Sequence, residues 1–270
     1  TYAKPLRLLN LFSGPYGRAH KLSPQGWQVT DIDNNGEGGG GWTHDLLNDE
    51  LFAALLIQAS AGEIDAIMVA FPCSTFSITR FFDATNQNGG DRGPPVIRTF
   101  EHGDGLPESS DYPKGLAEKF IDPDHIRELK LSNLLLDRVV ELAIAARRSK
   151  ARTTIILENP ADRSPGASIA SSPEFKNHGS IARTSAFKRL EEEADVRSRA
   201  TFAYCRLRSS YQKYTTVYYT PEAGAVLDQL NGPEFQCNHE RGSHEKQAGG
   251  RGADGKFVSA DSAAYTEPLC

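Results

Sequence analysis

The sequence predicts an α/β protein with a doubly wound, mostly parallel sheet. Short apolar runs of strand length alternate with segments of helical periodicity, and polar or glycine-containing turns follow the apolar runs directly. In such a sheet, ligand sites lie beyond the carboxyl ends of the strands. The residues that follow each apolar run are therefore the first candidates for function.

Four apolar runs predict strands, and two periodic segments between them predict helices. The first strand ends at a Ser13-Gly14 turn, the third is stopped by Pro72, and the β-branched fourth runs into Glu158. One stripe of Leu, Val and Ala residues marks the longer helix as amphipathic. The predicted strands are Leu6–Phe12, Trp27–Ile32, Ile64–Phe71 and Thr153–Leu157, and the predicted helices are Leu46–Ala59 and Leu129–Ala146.

Changes in composition along the 270 residues divide the chain. Residues 1–220 form a predicted main domain, followed by a small Gly-, His- and Cys-containing region at 221–262 and an end segment at 263–270. Inside the main domain, residues 79–124 are polar, rich in Gly and Pro, and without periodicity. A loop of this length is typical of a functional lid or an insertion.

The chain has a formal net charge of −5 and a pI near 5.8. Nucleic-acid binders usually carry a basic surplus, so this charge counts mildly against a nucleic-acid partner without excluding one. Two basic clusters are either a local binding face or ordinary solvated surface. They are Arg147, Arg148, Lys150 and Arg152, and Arg197, Arg199, Arg206 and Arg208.

No apolar stretch approaches the roughly 20 residues that cross a bilayer, so no membrane partner is expected. The first apolar run is too short for the core of a signal peptide, which predicts an intracellular protein, nuclear or cytoplasmic, rather than a secreted one. The cysteines are far apart with no C-x-x-C pair, as in a reducing compartment. They are Cys73, Cys205, Cys237 and Cys270.

A His- and Cys-containing segment near the end of the chain raises the question of a metal. Cys237, His239 and His244 lie close together, and Cys205 could join them in space to form a zinc site. The spacing C-x-H-x4-H matches no standard zinc finger well. The prediction is therefore a loop with incidental histidines and no metal.

Two motifs carry candidate chemistry. FPCSTFS places Cys73 directly after an apolar strand, where free backbone N–H groups and hydroxyls can stabilise a thiolate; the alternative is a buried structural cysteine. LENP places Glu158 at the end of another strand, and a buried carboxylate there needs a partner, a ligand or a proton-transfer role. A nucleophilic thiol and a proton-donating acid in one crevice can activate an electron-poor ring.

The opening motif LFSGPYG and two later acidic segments suggest a cofactor site. A glycine-bearing turn after the first strand allows close approach of a ligand, although full G-x-G-x-x-G spacing is absent. Asp31 and Asp33 close the second strand, where an acid can accept ribose hydroxyls or simply serve a turn. Asp45 either caps the next helix or accepts from an adenine amino group.

The order LFSGPYG, DID, HDL, FPCSTFS, LENP resembles that of the cytosine-C5 DNA methyltransferase family, over roughly residues 6–160. The resemblance implies a class I S-adenosylmethionine-dependent fold, with 1–220 as catalytic domain, 221–262 as a small recognition region, and DNA as substrate. It implies that the cofactor-binding residues are Phe12, Ser13, Gly14, Gly17, Asp31, Ile32, Asp45, Leu46 and Pro72. It implies that the catalytic residues are Cys73, Glu158, Pro72, Asn159 and Lys213.

The sequence departs from the family in its second half. The arginines of the family's QxRxR motif are missing, because YQKYTTVYYT puts Tyr214 and Thr216 at those places. Lys213 is the candidate replacement as a cation near the cytosine carbonyl, without the fork of an arginine. Two alternatives stay open: a catalytically silent relative that binds nucleic acid or cofactor, and a methyltransferase acting on RNA or a free nucleotide.

Overall fold

A single sheet organises the chain. The computed structural model describes residues 4–14, 19–34, 41–81, 94–107, 121–149, 152–167, 169, 175–240 and 243–244. Within these residues the sheet has six strands in the order β2-β1-β3-β4-β6-β5. The strands are β1 (Leu6–Leu11), β2 (Trp27–Ile32), β3 (Ala66–Ala70), β4 (Thr154–Pro160), β5 (Ser198–Ala203) and β6 (Tyr214–Tyr219).

The sheet confirms the predicted α/β class and the mostly parallel pairing. Strand β1 pairs in parallel with β2 and β3, and β3 pairs in parallel with β4. Strand β6 runs antiparallel between β4 and β5. The strand order changes direction at β1, since β2 lies on one side of it and β3 on the other. A switch point of this kind leaves a crevice outside the carboxyl ends of β1 and β3.

Helices and short 3-10 turns connect the strands. The two predicted helices are present but begin elsewhere than expected: the first starts at Asp49 rather than Leu46, because Asn48 accepts hydrogen bonds from the amides of Glu50 (3.0 Å) and Leu51 (3.3 Å). The helices are α1 (Ala19–Leu22), α2 (Asp49–Ser60), α3 (Pro123–Arg148), α4 (Ser185–Glu193) and α5 (Gly224–Leu227). None of these described helices combines the length and apolar character that a membrane span needs.

Two hydrophobic clusters lie on opposite faces of the sheet. The larger one joins alternate residues of β1, β3 and β4 to helices α2, α3 and α4, and Leu157 and Tyr218 belong to it. The smaller one lies between the β5–β6 end of the sheet and α5, and Ile156 and Val217 belong to it. Because successive side chains of a strand point to opposite faces, Glu158 projects on the side of the smaller cluster.

The region predicted as a long loop at 79–124 is described at 79–81, 94–107 and 121–124. The last of these parts is not loop but the cap and first residues of α3, and the first two contact α3 through Arg80 and Arg98. The guanidinium of Arg80 donates to both carboxylate oxygens of Glu128 at 2.7 Å. Arg98 is 1% exposed and donates to the Gly103 carbonyl (2.7 Å) and to Asn133 Oδ1 (2.8 Å). Two buried arginines thus fix the chain that follows the FPCSTFS motif. The rest of the predicted loop, Gly17 and the segment 263–270 lie outside the described residues.

Candidate active site

The turn after β1 has an unusual backbone. Phe12 has a φ of 57° and Gly14 a φ of 72°, in the left-handed region. This region costs a non-glycine residue roughly 1–2 kcal/mol. The Ser13 amide donates to the Ile32 carbonyl (3.2 Å), and the Gly14 amide donates to Asp33 Oδ2 (2.8 Å). The turn is thereby tied to the end of β2.

Open space lies above Gly14. A Cβ built on this residue would meet no atom of the described chain within 4 Å. Beside the turn, a concavity runs along the switch point between β1 and β3. Its lining residues are Phe12, Ile32, Asp33, Asn34, His44, Asp45, Leu46, Pro72 and Leu135. Five of these nine are among the predicted cofactor-binding residues, and the lining combines apolar side chains with polar and acidic ones.

The two predicted cofactor acids behave differently. Asp45 lines the concavity, and its carboxylate accepts from the Leu47 amide (2.8 Å) and from Asn34 Nδ2 (3.0 Å). It therefore closes a turn before α2 and does not cap the helix, which was its alternative role. Asp31 does not line the concavity, and its Oδ1 accepts from Asn10 Nδ2 at 2.6 Å.

Cys73 follows β3 and begins the 3-10 turn Ser74–Phe76, whose Phe76 amide donates to the Cys73 carbonyl at 3.0 Å. Its side chain is half-buried and forms no disulfide. Burial raises the pKa of the Cys73 thiol above its ordinary value, the Lys213 cation opposes this rise, and Glu158 adds to it. The thiol is accordingly held beside one cation and one carboxylate.

Glu158 lies near the end of β4, paired in register with Ala70 of β3, and is only 6% exposed. Its Oε1 atom lies 3.5 Å from Lys213 Nζ, accepts from the Tyr204 hydroxyl at 3.3 Å, and is contacted by the Thr215 hydroxyl. A buried carboxylate without partners would be costly, so these three donors allow it to remain at the sheet edge.

Lys213 immediately precedes β6, and its ammonium group interacts electrostatically with Cys73 and Glu158, the two predicted reacting groups. Burial by itself would lower the pKa of its ammonium, but the negative charges of Glu158 and of the Cys73 thiolate outweigh burial and raise that pKa. Lys213 Nζ also lies 4.9 Å from the centre of the Tyr204 ring. The structure thus brings together three of the predicted catalytic residues: Cys73, Glu158 and Lys213.

Asn159 links the two strand ends that carry the predicted catalytic residues. Asn159 is fully buried, and its Nδ2 atom donates to the Phe71 carbonyl (3.3 Å), directly before Pro72-Cys73. Its Oδ1 atom has no hydrogen-bond partner among the described residues. Asn159 therefore ties the end of β4 to the cysteine-bearing turn.

Sequence reasoning missed Tyr204 and Thr215, the hydroxyl partners of Glu158. Tyr204 follows β5 and Thr215 lies in β6, and neither strand was predicted. The β-rich run Tyr214–Tyr219 was the available signal for β6. It was considered only as a position for the missing arginines.

Several arginines of the two basic clusters are engaged within the protein, and Lys150 lies outside the described residues. Arg147 Nη1 lies 2.9 Å from Glu222, and Arg148 Nη2 lies 2.6 Å from Glu193. In the second cluster, Arg206 donates to the Glu234 carbonyl at 2.7 Å. These contacts favour the interpretation of solvated, internally paired surface over that of a phosphate-binding face.

A comparison with models of known protein families finds no match, and a comparison with curated protein sequences finds none either. The case for the chemistry of the site rests on its own residues.

Proposed function

We propose that this protein transfers a methyl group from S-adenosylmethionine to C5 of cytosine in DNA. The observation that carries the proposal is the meeting of Cys73, Glu158 and Lys213 at the carboxyl edge of the sheet. They come from three distant parts of the chain, and they lie near a concavity whose lining includes Phe12 and Asp45. A nucleophile, an acid and a cation beside a ligand crevice are the components that activation of a pyrimidine needs.

The cofactor assignment rests on the open turn at Gly14 and on the concavity. The wall of the concavity combines the apolar side chains of Phe12, Ile32 and Leu46 with the Asp45 carboxylate, a combination that fits an adenosine. When bound, S-adenosylmethionine supplies an electrophilic methyl group. Pro72 belongs both to this wall and to the turn that presents Cys73, so it connects the cofactor site to the reacting thiol.

In the proposed reaction, the Cys73 thiolate donates an electron pair to C6 of the cytosine and forms a C6–S bond. The ring electrons shift toward N3, to which Glu158 would deliver a proton, and C5 becomes nucleophilic. C5 then accepts the methyl group and loses its own proton to a base. The electron pair of the lost C5–H bond restores the C5–C6 double bond, the C6–S bond breaks with its electron pair going to sulfur, and N3 returns its proton to Glu158.

Lys213 would assist the first step. Its ammonium opposes the rise in the pKa of the Cys73 thiol that burial causes, so it increases the share of thiolate. A lysine makes a point-charge contact and lacks the forked geometry of an arginine. We therefore assign its contribution to the charge rather than to bidentate recognition of the base.

The second candidate is a silent module that binds cofactor or nucleic acid without transferring a methyl group. Three observations favour it. Burial raises the pKa of the Cys73 thiol, the Glu158 carboxylate already has protein partners, and Arg147 of the first basic cluster is paired with Glu222. A further alternative keeps the chemistry but replaces DNA by RNA or a free nucleotide.

The deciding experiment uses 5-fluorocytosine substrates, which block loss of the C5 substituent and trap the C6–S bond. The protein is incubated with S-adenosylmethionine and fluorinated duplex DNA, RNA or free nucleotide in separate reactions, and intact masses are measured. We expect a methylated adduct with DNA that is absent from Cys73→Ser. An adduct only with RNA or only with the nucleotide would identify that molecule, rather than DNA, as the substrate. Cofactor binding without any adduct would favour the silent module.

A further inference from the structure

Four metal-ligating side chains meet outside the candidate active site. Cys205 lies in the 3-10 turn Tyr204–Leu207 after β5, whereas Cys237, His239 and His244 lie beyond α5, near the end of the described chain. Each offers one ligand atom, and the four atoms lie within 4.8 Å of one another. Chain segments more than 30 residues apart therefore converge on a single point.

The two separations from Cys237 Sγ agree with tetrahedral coordination. Cys237 Sγ lies 3.5 Å from His239 Nδ1 and 3.3 Å from His244 Nε2. In a tetrahedral zinc site, bonds of about 2.3 Å to sulfur and about 2.0 Å to nitrogen place such atoms roughly 3.5 Å apart. We propose that Cys205, Cys237, His239 and His244 bind one structural zinc ion.

The backbone around these side chains is anchored independently of a metal. The Cys237 amide donates to the Tyr214 hydroxyl at 3.2 Å, and Arg206 Nη1 donates to Asn238 Oδ1 at 2.8 Å. Gln236 Nε2 donates to the carbonyl of Thr201 in β5 at 2.9 Å. The ligands are thus positioned by contacts with the β5–β6 hairpin rather than by chance proximity in a free loop.

The donor set selects the metal. Two thiolates and two imidazoles suit zinc, whereas magnesium and calcium prefer oxygen ligands. Four protein ligands fill a tetrahedral shell and leave no position for water or substrate, so the ion stabilises structure and performs no catalysis. The sequence analysis considered this site, with Cys205 joining in space, but favoured incidental histidines because the spacing C-x-H-x4-H matches no standard zinc finger.

The site would fasten the chain beyond α5 to the β5–β6 connection. Cys205 directly follows Tyr204, whose hydroxyl donates to Glu158, and the connection ends at Lys213. Zinc would therefore hold the segment that carries two partners of Glu158. The proposal does not depend on methyl transfer, because the same site would stabilise a silent module.

The test measures metal content, with cobalt as a spectroscopic probe. The full chain is produced with added zinc, purified without a metal-affinity step, and analysed by elemental mass spectrometry. We expect one zinc per chain in the unchanged protein and in the control variants Cys73→Ser and His102→Asn. We expect loss of zinc in Cys237→Ser and in His244→Asn. Cobalt substitution should give thiolate-to-metal charge-transfer and tetrahedral ligand-field bands.

Another variant covers the case in which ligand removal prevents folding. His244→Cys keeps four ligands, so it should retain the metal and increase the thiolate-to-cobalt intensity. Chelation should expose Cys205 and Cys237 to alkylation, read out by peptide mass spectrometry. Substoichiometric zinc without a cobalt–thiolate band, or a Cys205–Cys237 disulfide in freshly purified protein, would overturn the proposal. So would zinc retained in Cys237→Ser.

Discussion

The carboxyl edge of the sheet has two halves that are built differently. The half proposed to bind the cofactor, which we call the cofactor half, lies around Phe12, Gly14 and Asp45. It combines a local turn, Asp45–Leu47, with the link from Gly14 to Asp33 on the neighbouring strand end. The catalytic half joins Glu158 at the end of β4 to Lys213, 55 positions away in the sequence, and buries the carboxylate. A local turn can be recognised in a sequence, whereas a buried charge cluster exists only after β4, β5 and β6 have assembled.

This difference predicts that the catalytic half tolerates substitution least. In Cys73→Ser, adduct formation and methyl transfer should fall by more than about 10³-fold, because a hydroxyl is far less acidic than a thiol and the nucleophile is lost. Binding of S-adenosylmethionine, measured by calorimetry, should stay unchanged, because the cofactor half is separate. Wild-type turnover in Cys73→Ser would show that the cysteine takes no part in the reaction. Loss of both methyl transfer and S-adenosylmethionine binding would show that the two halves are not independent.

Glu158→Gln separates catalysis from structural support within the catalytic half. Glutamine keeps the shape and part of the hydrogen bonding but cannot deliver a carboxyl proton, so single-turnover methylation should fall by about 10²–10⁴-fold. The same preparation is examined by thermal unfolding and cofactor calorimetry. A folded, cofactor-binding but slow variant would support acid catalysis. If melting temperature, cofactor affinity and rate all decline together, Glu158 is a structural partner of Lys213.

The sequence predicts the sheet edge better than the side chains that complete it. Strands β1 to β4 follow apolar runs, and Trp27–Ile32 has the bounds predicted for it. Strands β5 and β6 escaped prediction, because short β-rich segments without flanking helical periodicity resemble ordinary irregular chain. Tyr204 and Thr215 were missed with them. A donor to a buried carboxylate is identified by proximity across strands, which sequence spacing does not record.

The start of α2 is another feature that the sequence predicts only in part. Apolar periodicity begins at Leu46, but the structure uses Asn48 as the cap and leaves Asp45 in the preceding turn. Periodicity marks the face of a helix, whereas its end depends on which side chain satisfies the first free amides. That shift leaves Asp45 on the wall of the concavity rather than at the cap of the helix.

Asp45→Asn tests the cofactor half. A hydrogen bond to a charged group contributes about 1.5–3 kcal/mol, so the affinity for S-adenosylmethionine should fall about 10- to 100-fold. Asparagine preserves an oxygen acceptor for the Leu47 amide, which limits damage to the turn. The matched control is Glu50→Gln on α2, an exposed acid that does not line the concavity. Equal affinities in Asp45→Asn and the unchanged protein would place the adenosine elsewhere.

The smallest expected effect concerns the charge balance at Cys73. The Lys213 cation lowers the pKa of the thiol against the larger effect of burial, so Lys213→Met should raise that pKa further. Below its pKa, a thiol with a higher pKa holds a smaller fraction of thiolate at a given pH. Alkylation of Cys73 by iodoacetamide should therefore be slower at neutral pH, and its rate profile should move to higher pH.

Glu158 supplies the opposite test of the same balance. Its carboxylate raises the pKa of the Cys73 thiol, so Glu158→Gln should move the alkylation profile of Cys73 to lower pH. Alkylation rates are followed by peptide mass spectrometry, which separates Cys73 from the other cysteines. The control for Lys213→Met is Lys188→Met, which removes one positive charge from an exposed position. Opposite displacements in Lys213→Met and Glu158→Gln require electrostatic coupling of all three groups. Displacement in the same direction for both variants would indicate altered access to the thiol, and would leave Lys213 as a partner of Glu158 alone.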